Sequence, residues 1–220
     1  MWGRPTNHLR MNGEELVAAV REDRATALDR LGSEKAIVAA TGAQLESGPV
    51  LSAAARLLNG GAETLATWAD GTDDADARAA FGDAADTLAG HRDALLGLDD
   101  DATAGGDAPY LVAELRTAET PPERVAAGLV ALPLVADRRC LQVINFLVNE
   151  GARSTADTVR EARSDLQAMP ETAAGLLDTV CADDGDWVTA QKAATDAIGT
   201  AYDEYASSLR EMGVDPKPVC

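Results

Sequence analysis

Histidine is nearly missing from this chain of 220 residues, occurring only at His8 and His91. Chemistry that needs several imidazoles, whether general base or transition-metal ligand, has almost nothing to draw on. Cysteine is limited to Cys140, Cys181 and Cys220, and none sits in a Cys-x-x-Cys pair, which excludes a zinc ribbon or a rubredoxin-type iron centre. Such sparse cysteine, with no secretory apolar leader, fits a reducing cytoplasm. Lysine is confined to Lys35, Lys192 and Lys217, and aromatic residues make up 4% of the chain. No apolar run reaches membrane-spanning length; the longest, Val125 to Leu134, contains Pro133. No glycine-rich loop follows a strand pattern, so nucleotide binding has no support.

What is abundant is acid and small apolar residues. Thirty-seven Asp and Glu against 19 Lys and Arg give a net charge of −18, while 46% of residues are hydrophobic, with much alanine. The charge is spread through the chain, in Asp73-Asp74, Asp99-Asp100-Asp101 and Asp183-Asp184 among others, so it is not an acidic tail. Apolar residues recur periodically, which argues against disorder. The remaining reading is an acidic surface suited to concentrated salt, where a Debye length of about 3 Å at 1 M mutes self-repulsion. A haloarchaeal cytoplasm is the expected setting. The same charge disfavours direct binding to nucleic acid, whose phosphates require a basic face.

The periodicity is helical throughout. Residues 1–10 lack it and read as disordered or as an extension; residues 11–220 read as one domain. A first helical stretch covers about 13–45, with Leu16, Val20, Ala27, Leu31 and Val38 on one face and a break expected near Gly32-Ser33. A second, about 50–69, steps through Leu51, Ala55, Leu58, Ala62 and Leu65. A third, about 74–98, follows Asp73-Asp74 and carries Ala77, Phe81, Ala84, Leu88, His91 and Leu95. Alternating steps of four and three are the seam of a left-handed bundle. Residues 99–120 lose the pattern except for an expected helical turn from Tyr110 to Arg116. A fourth helix, about 122–149, has its seam at Val130, Leu134, Asp137, Leu141, Ile144 and Val148, with a kink expected at Pro133. A fifth, about 154–182, runs through Val159, Ala162, Leu166, Ala173 and Leu176, and is expected to kink or restart at Pro170. A sixth, about 186–212, carries Trp187, Ala194, Ile198, Ala201, Tyr205 and Leu209. The proline-rich ending from Asp215 cannot be helical.

Short loops make helices two and three one antiparallel hairpin, and helices four and five another, with a long crossover between them. Hairpin, crossover, hairpin is the connectivity of an all-α, ferritin-like four-helix bundle, here with additional N- and C-terminal helices.

The residues also resemble a family. Leu31-Gly-Ser-Glu-Lys-Ala36, Ala40-Thr-Gly42, Ala62-Glu-Thr64 with Trp68-Ala-Asp70, and above all the ending Met212-Gly-Val-Asp-Pro-Lys-Pro-Val-Cys220 are similar to haloarchaeal members of the rubrerythrin family. That resemblance implies a dinuclear iron or manganese site held by a lone Glu and a Glu-x-x-His from each hairpin. Matched position by position, the first Glu falls on Leu58, and the first Glu-x-x-His reads Leu88-Ala89-Gly90-His91. Asp137 lies near the third carboxylate position, and no histidine follows His91. A complete di-metal site cannot be assembled, so no cofactor, catalytic residue or metal ligand is assigned; His91 and Asp137 are at most remnants of one. Cys140, beside the seam, reads as a small core residue; Cys181 and Cys220 read as structural or incidental residues, with a redox pair as the alternative. Gly60-Gly61 reads as close helix packing.

Three functions are consistent with this. One is a non-catalytic, ferritin-like cytoplasmic protein acting through contacts with itself, as a homodimer, or with another protein. A second is a diverged oxidase or peroxidase using His91, Asp137 and carboxylates such as Glu34 or Glu63. A third is a regulator of transcription or stress response acting through a protein partner.

Overall fold

The computed structural model describes residues 11–217, and these fold into helices without a strand. None of these helices is long and apolar enough to cross a membrane. The expected first helix is three short ones, α1 (Gly13–Asp23), α2 (Ala25–Leu31) and α3 (Glu34–Thr41). One break falls at Gly32-Ser33, as the sequence suggests; the other, at Arg24, carries no glycine or proline to announce it. The Asn12 side chain caps α1 and exchanges hydrogen bonds with Glu15, a capping box.

Two long helices follow. In α4 (Ser47–Asp70), Pro49 sits in the first turn, where its missing N–H costs nothing. In α5 (Ala75–Leu96), Asp74 accepts from the Ala77 N–H at the start. These two pack along their length. The chain then crosses over through residues 97–109 to the short α6 (Tyr110–Leu115). The crossover is pinned to α4: Thr103 N–H donates to Ser52 Oγ at 2.9 Å, and a Cβ on Gly48 would lie 2.9 Å from that of Asp101.

The second hairpin begins at α7 (Pro121–Val125), which leads into a π-helical turn, Ala126–Ala131, then α8 (Leu132–Asn149) and α9 (Arg153–Val180). Contacts link α4 to α8 and α5 to α9 as well as the members of each hairpin, so the four long helices are mutual neighbours in a cycle. The last helix, α10 (Asp184–Glu211), lies across α6, α7, the π turn and α1 to α3. Beyond it the chain folds back: Lys35 Nζ donates to the carbonyls of Asp215 and Lys217, and Tyr205 Oη to that of Pro216.

Of the kink or restart expected at Pro170, the restart does not occur. The helix runs through Pro170, which is buried. The disturbance near Pro133 is the π turn just upstream, where Leu132 N–H reaches back to the Ala127 carbonyl. A proline ring clashes with the carbonyl four residues before it, and a wider turn relieves that crowding. The extra residue also rotates the seam by about 100°, one residue's share of a helical turn. The buried line of α8 is therefore Leu132, Ala136, Cys140, Val143 and Leu147, whereas Val148, assigned to the seam from sequence, is 40% exposed.

Glycine sets the helix spacing. A Cβ on Gly60 would lie 2.7 Å from Val112 of α6, and one on Gly61 2.7 Å from Leu132 and 3.2 Å from Leu88. Gly128 in the π turn faces Leu65 and Trp68 just as closely. Gly90, by contrast, is exposed on α5 with nothing near it. Gly61→Ala should destabilise the fold by about 1–3 kcal/mol through overpacking, whereas Gly90→Ala should stabilise it by about 0.5–1 kcal/mol through helix propensity. Chemical denaturation of the two variants beside wild type reads both signs; a stabilising Gly61→Ala would contradict the close packing.

Candidate functional site

The four positions singled out by the sequence divide into two leucines inside and two polar residues at the margins. Leu58 is 1% exposed and Leu88 fully buried. Leu88 and Leu132 both close on the Gly61 backbone, so apolar atoms fill the space between α4, α5 and α8 at this level. The donor set required for a di-metal centre is not there: leucine offers no lone pair to a metal. Among the described residues, no three His, Cys, Asp or Glu side chains gather as potential ligands.

Asp137 is buried on α8 and faces α9. Its Oδ1 accepts from Arg163 Nε at 2.8 Å and from Gln167 Nε2 at 2.9 Å, and Arg138 Nε lies 3.8 Å from Oδ2. This carboxylate is satisfied as a clamp between two helices. His91 projects from α5 to Asp165, also on α9, with Nε2 and Oδ2 at 2.9 Å and the Asp165 side chain 59% exposed. The structure does not pair His91 with Asp137. Helical geometry explains why. At 100° per residue, Arg163 and Gln167 lie on one side of Leu166 and Asp165 lies on the other. The two residues therefore hold opposite flanks of α9, with the buried Leu166 between them.

Of the other carboxylates considered, Glu63 lies on the outside of α4, accepting from Asn59 and 3.6 Å from Arg116. Cys140 is buried on the α8 seam, and its thiol is pushed up to about 12, chiefly by burial and secondly by Asp137. A thiol held protonated there is packing material, not a nucleophile. Cys181 is buried at the end of α9; its suggested partner, Cys220, lies outside the described residues, as do residues 1–10.

Sequence reasoning missed a second locality. A cavity of about 200 Å³ lies between α3, α4, α8, α10 and the crossover, lined by Arg56, Arg139, Glu204, Asp107 and Tyr205 among others. Its residues come from five separate stretches in no motif. The one available signal was a pair of arginines, Arg56 and Arg139, on helices otherwise read only for their apolar seams.

No known family, curated protein or solved structure shows detectable similarity to this chain.

The separation of His91 from Asp137 gives a direct prediction. His91→Ala should cost at most about 1 kcal/mol, since its partner is solvent-exposed. Asp137→Ala should cost about 2 kcal/mol, less than the ~3–5 kcal/mol of a wholly buried pair because Arg138 and Arg163 reach solvent. The double variant should show the sum of the two within about 0.5 kcal/mol. Coupling well above that in denaturant titrations would place the two residues in one network.

Proposed function

We propose that this chain is a ferritin-like helical protein that has lost its di-metal chemistry and works by binding, through contacts with a second copy of itself or with a partner protein in the cytoplasm. Two hairpins, α4–α5 and α8–α9, joined by a long crossover and packed as a cycle, support the ferritin-like part. The observation that carries the functional part is the packing of Leu58 and Leu88 at the positions where the family resemblance calls for glutamates. Two carboxylates exchanged for leucines turn a site that needs a metal into a core that stands without one. The net charge of −18 directs the surface toward proteins rather than nucleic acid.

Metal analysis of the chain purified from its native host, together with light scattering in molar salt, tests this reading. Substoichiometric iron and manganese are expected, with a mass matching a homodimer or a complex with another protein. Two equivalents of iron or manganese per chain would overturn it.

A further inference from the structure

Most of the half-buried arginines in this acidic chain are spoken for. Arg163 holds Asp137, Arg92 donates to Asn59 and Asp93, and Arg30 to the Tyr202 hydroxyl. Arg24, Arg56 and Arg139 are the contrast, and of these Arg56 and Arg139 share one cavity. Both are half-buried and both line the cavity beneath the crossover, yet neither is hydrogen-bonded or ion-paired to a described residue. They are also close enough for each to oppose the other's charge. Two cations withdrawn from water and left without a bonded counter-charge are costly, and a bound anion would remove that cost.

The third polar wall is Glu204 on α10. Its Oε2 accepts from the Tyr110 N–H at 3.2 Å, leaving Oε1 without a protein donor. It attracts both arginines from outside ion-pair range, and burial, the largest influence on it, holds its carboxyl above the ordinary range. The cavity therefore presents two forked cationic donors and two carboxylates, Glu204 inside and the exposed Asp107 on the crossover. The crossover closes one side with Asp107 and Pro109, next to Gly106, whose φ of +109° is a conformation that favours glycine.

We propose that this cavity binds a small molecule carrying an oxyanion group, carboxylate or phosphate, which Arg56 and Arg139 grip together, while Glu204 accepts an N–H or O–H of the same molecule. Guanidinium matches both oxyanions through paired, near-parallel hydrogen bonds. At about 200 Å³ the space is below the roughly 300–1,000 Å³ of sites for drug-sized ligands, so the molecule is compact and not a nucleotide. The site shares no residue with Leu58, Leu88, His91 or Asp137.

Titration calorimetry of the full chain at constant ionic strength in KCl, with inorganic phosphate, acetate and glycolate as probes, tests this. Saturable one-to-one binding of phosphate or of the carboxylates is expected, and which of them binds identifies the source of the oxyanion. Among the carboxylates, glycolate should bind several-fold tighter than acetate, because its hydroxyl reaches Glu204, and Glu204→Ala should abolish that preference. Arg56→Met and Arg139→Met keep length and remove charge, and each should weaken binding at least tenfold. Should either variant fail to fold, protection of Arg56 and Arg139 in the wild-type chain from phenylglyoxal by the bound probe, read by peptide mass spectrometry, replaces it. No saturation by any probe at about 100 mM, undiminished affinity in folded arginine variants, or no protection would overturn the proposal.

Discussion

The face of α4 that carries Leu58, Gly61 and Leu65 touches its neighbours at the limit of close packing, and the arrangement of the other long helices depends on that. Gly61 lets Leu88 of α5 and Leu132 of α8 come together over its backbone, and Gly60 does the same for Val112 of α6. Leu65 and Trp68 in turn press on Gly128 in the π turn. A core built from small residues and leucine, with 4% aromatics in the whole chain, has little other means of filling space: it must bring backbones close and let leucines interlock. Metal ligands would require the opposite, a polar interior held open around an ion.

Charge is organised around that core. The surface is dominated by Asp and Glu, whereas several arginines lie half-buried between helices. Asp137 with Arg163 and Gln167 ties α8 to α9, and His91 with Asp165 ties α5 to the other flank of α9. Arg56 and Arg139 lie under the crossover and α10, on a cavity whose other charged walls are Asp107 and Glu204. The long connection thus has a structural use: it is fastened to α4 through Ser52 and roofs the cavity.

The helices were largely legible because their seams are long and regular. Leu51 to Leu65 are buried as their spacing predicts, and so is the seam from Ala77 to Leu95 except at His91, which is partly exposed. Failure came where a local event changed the register. Nothing in Ala126–Ala131 marks a π turn by composition, and the extra residue moved Cys140 onto the α8 seam and Val148 off it. Arg24, ending α1 without glycine or proline, was equally silent. The burial of Leu58 and Leu88 followed from spacing alone, but the partners of His91 and Asp137 did not, because which flank of α9 each faces depends on how three helices pack. The arginine cavity was illegible for the same reason: Arg56, Arg139 and Glu204 are about 60–150 positions apart, and only tertiary packing joins them.

The most direct test of the apolar core at Leu58 and Leu88 is to place carboxylates there. The double variant Leu58→Glu with Leu88→Glu, prepared without metal and followed by denaturant unfolding in molar salt, places two acids in a space filled by Leu132 and closed over the Gly61 backbone. A loss of at least about 3 kcal/mol, or failure to fold, is expected from burying unpaired carboxyl groups. A double variant as stable as the wild-type chain would show that Leu58 and Leu88 do not pack the core, and would contradict the account.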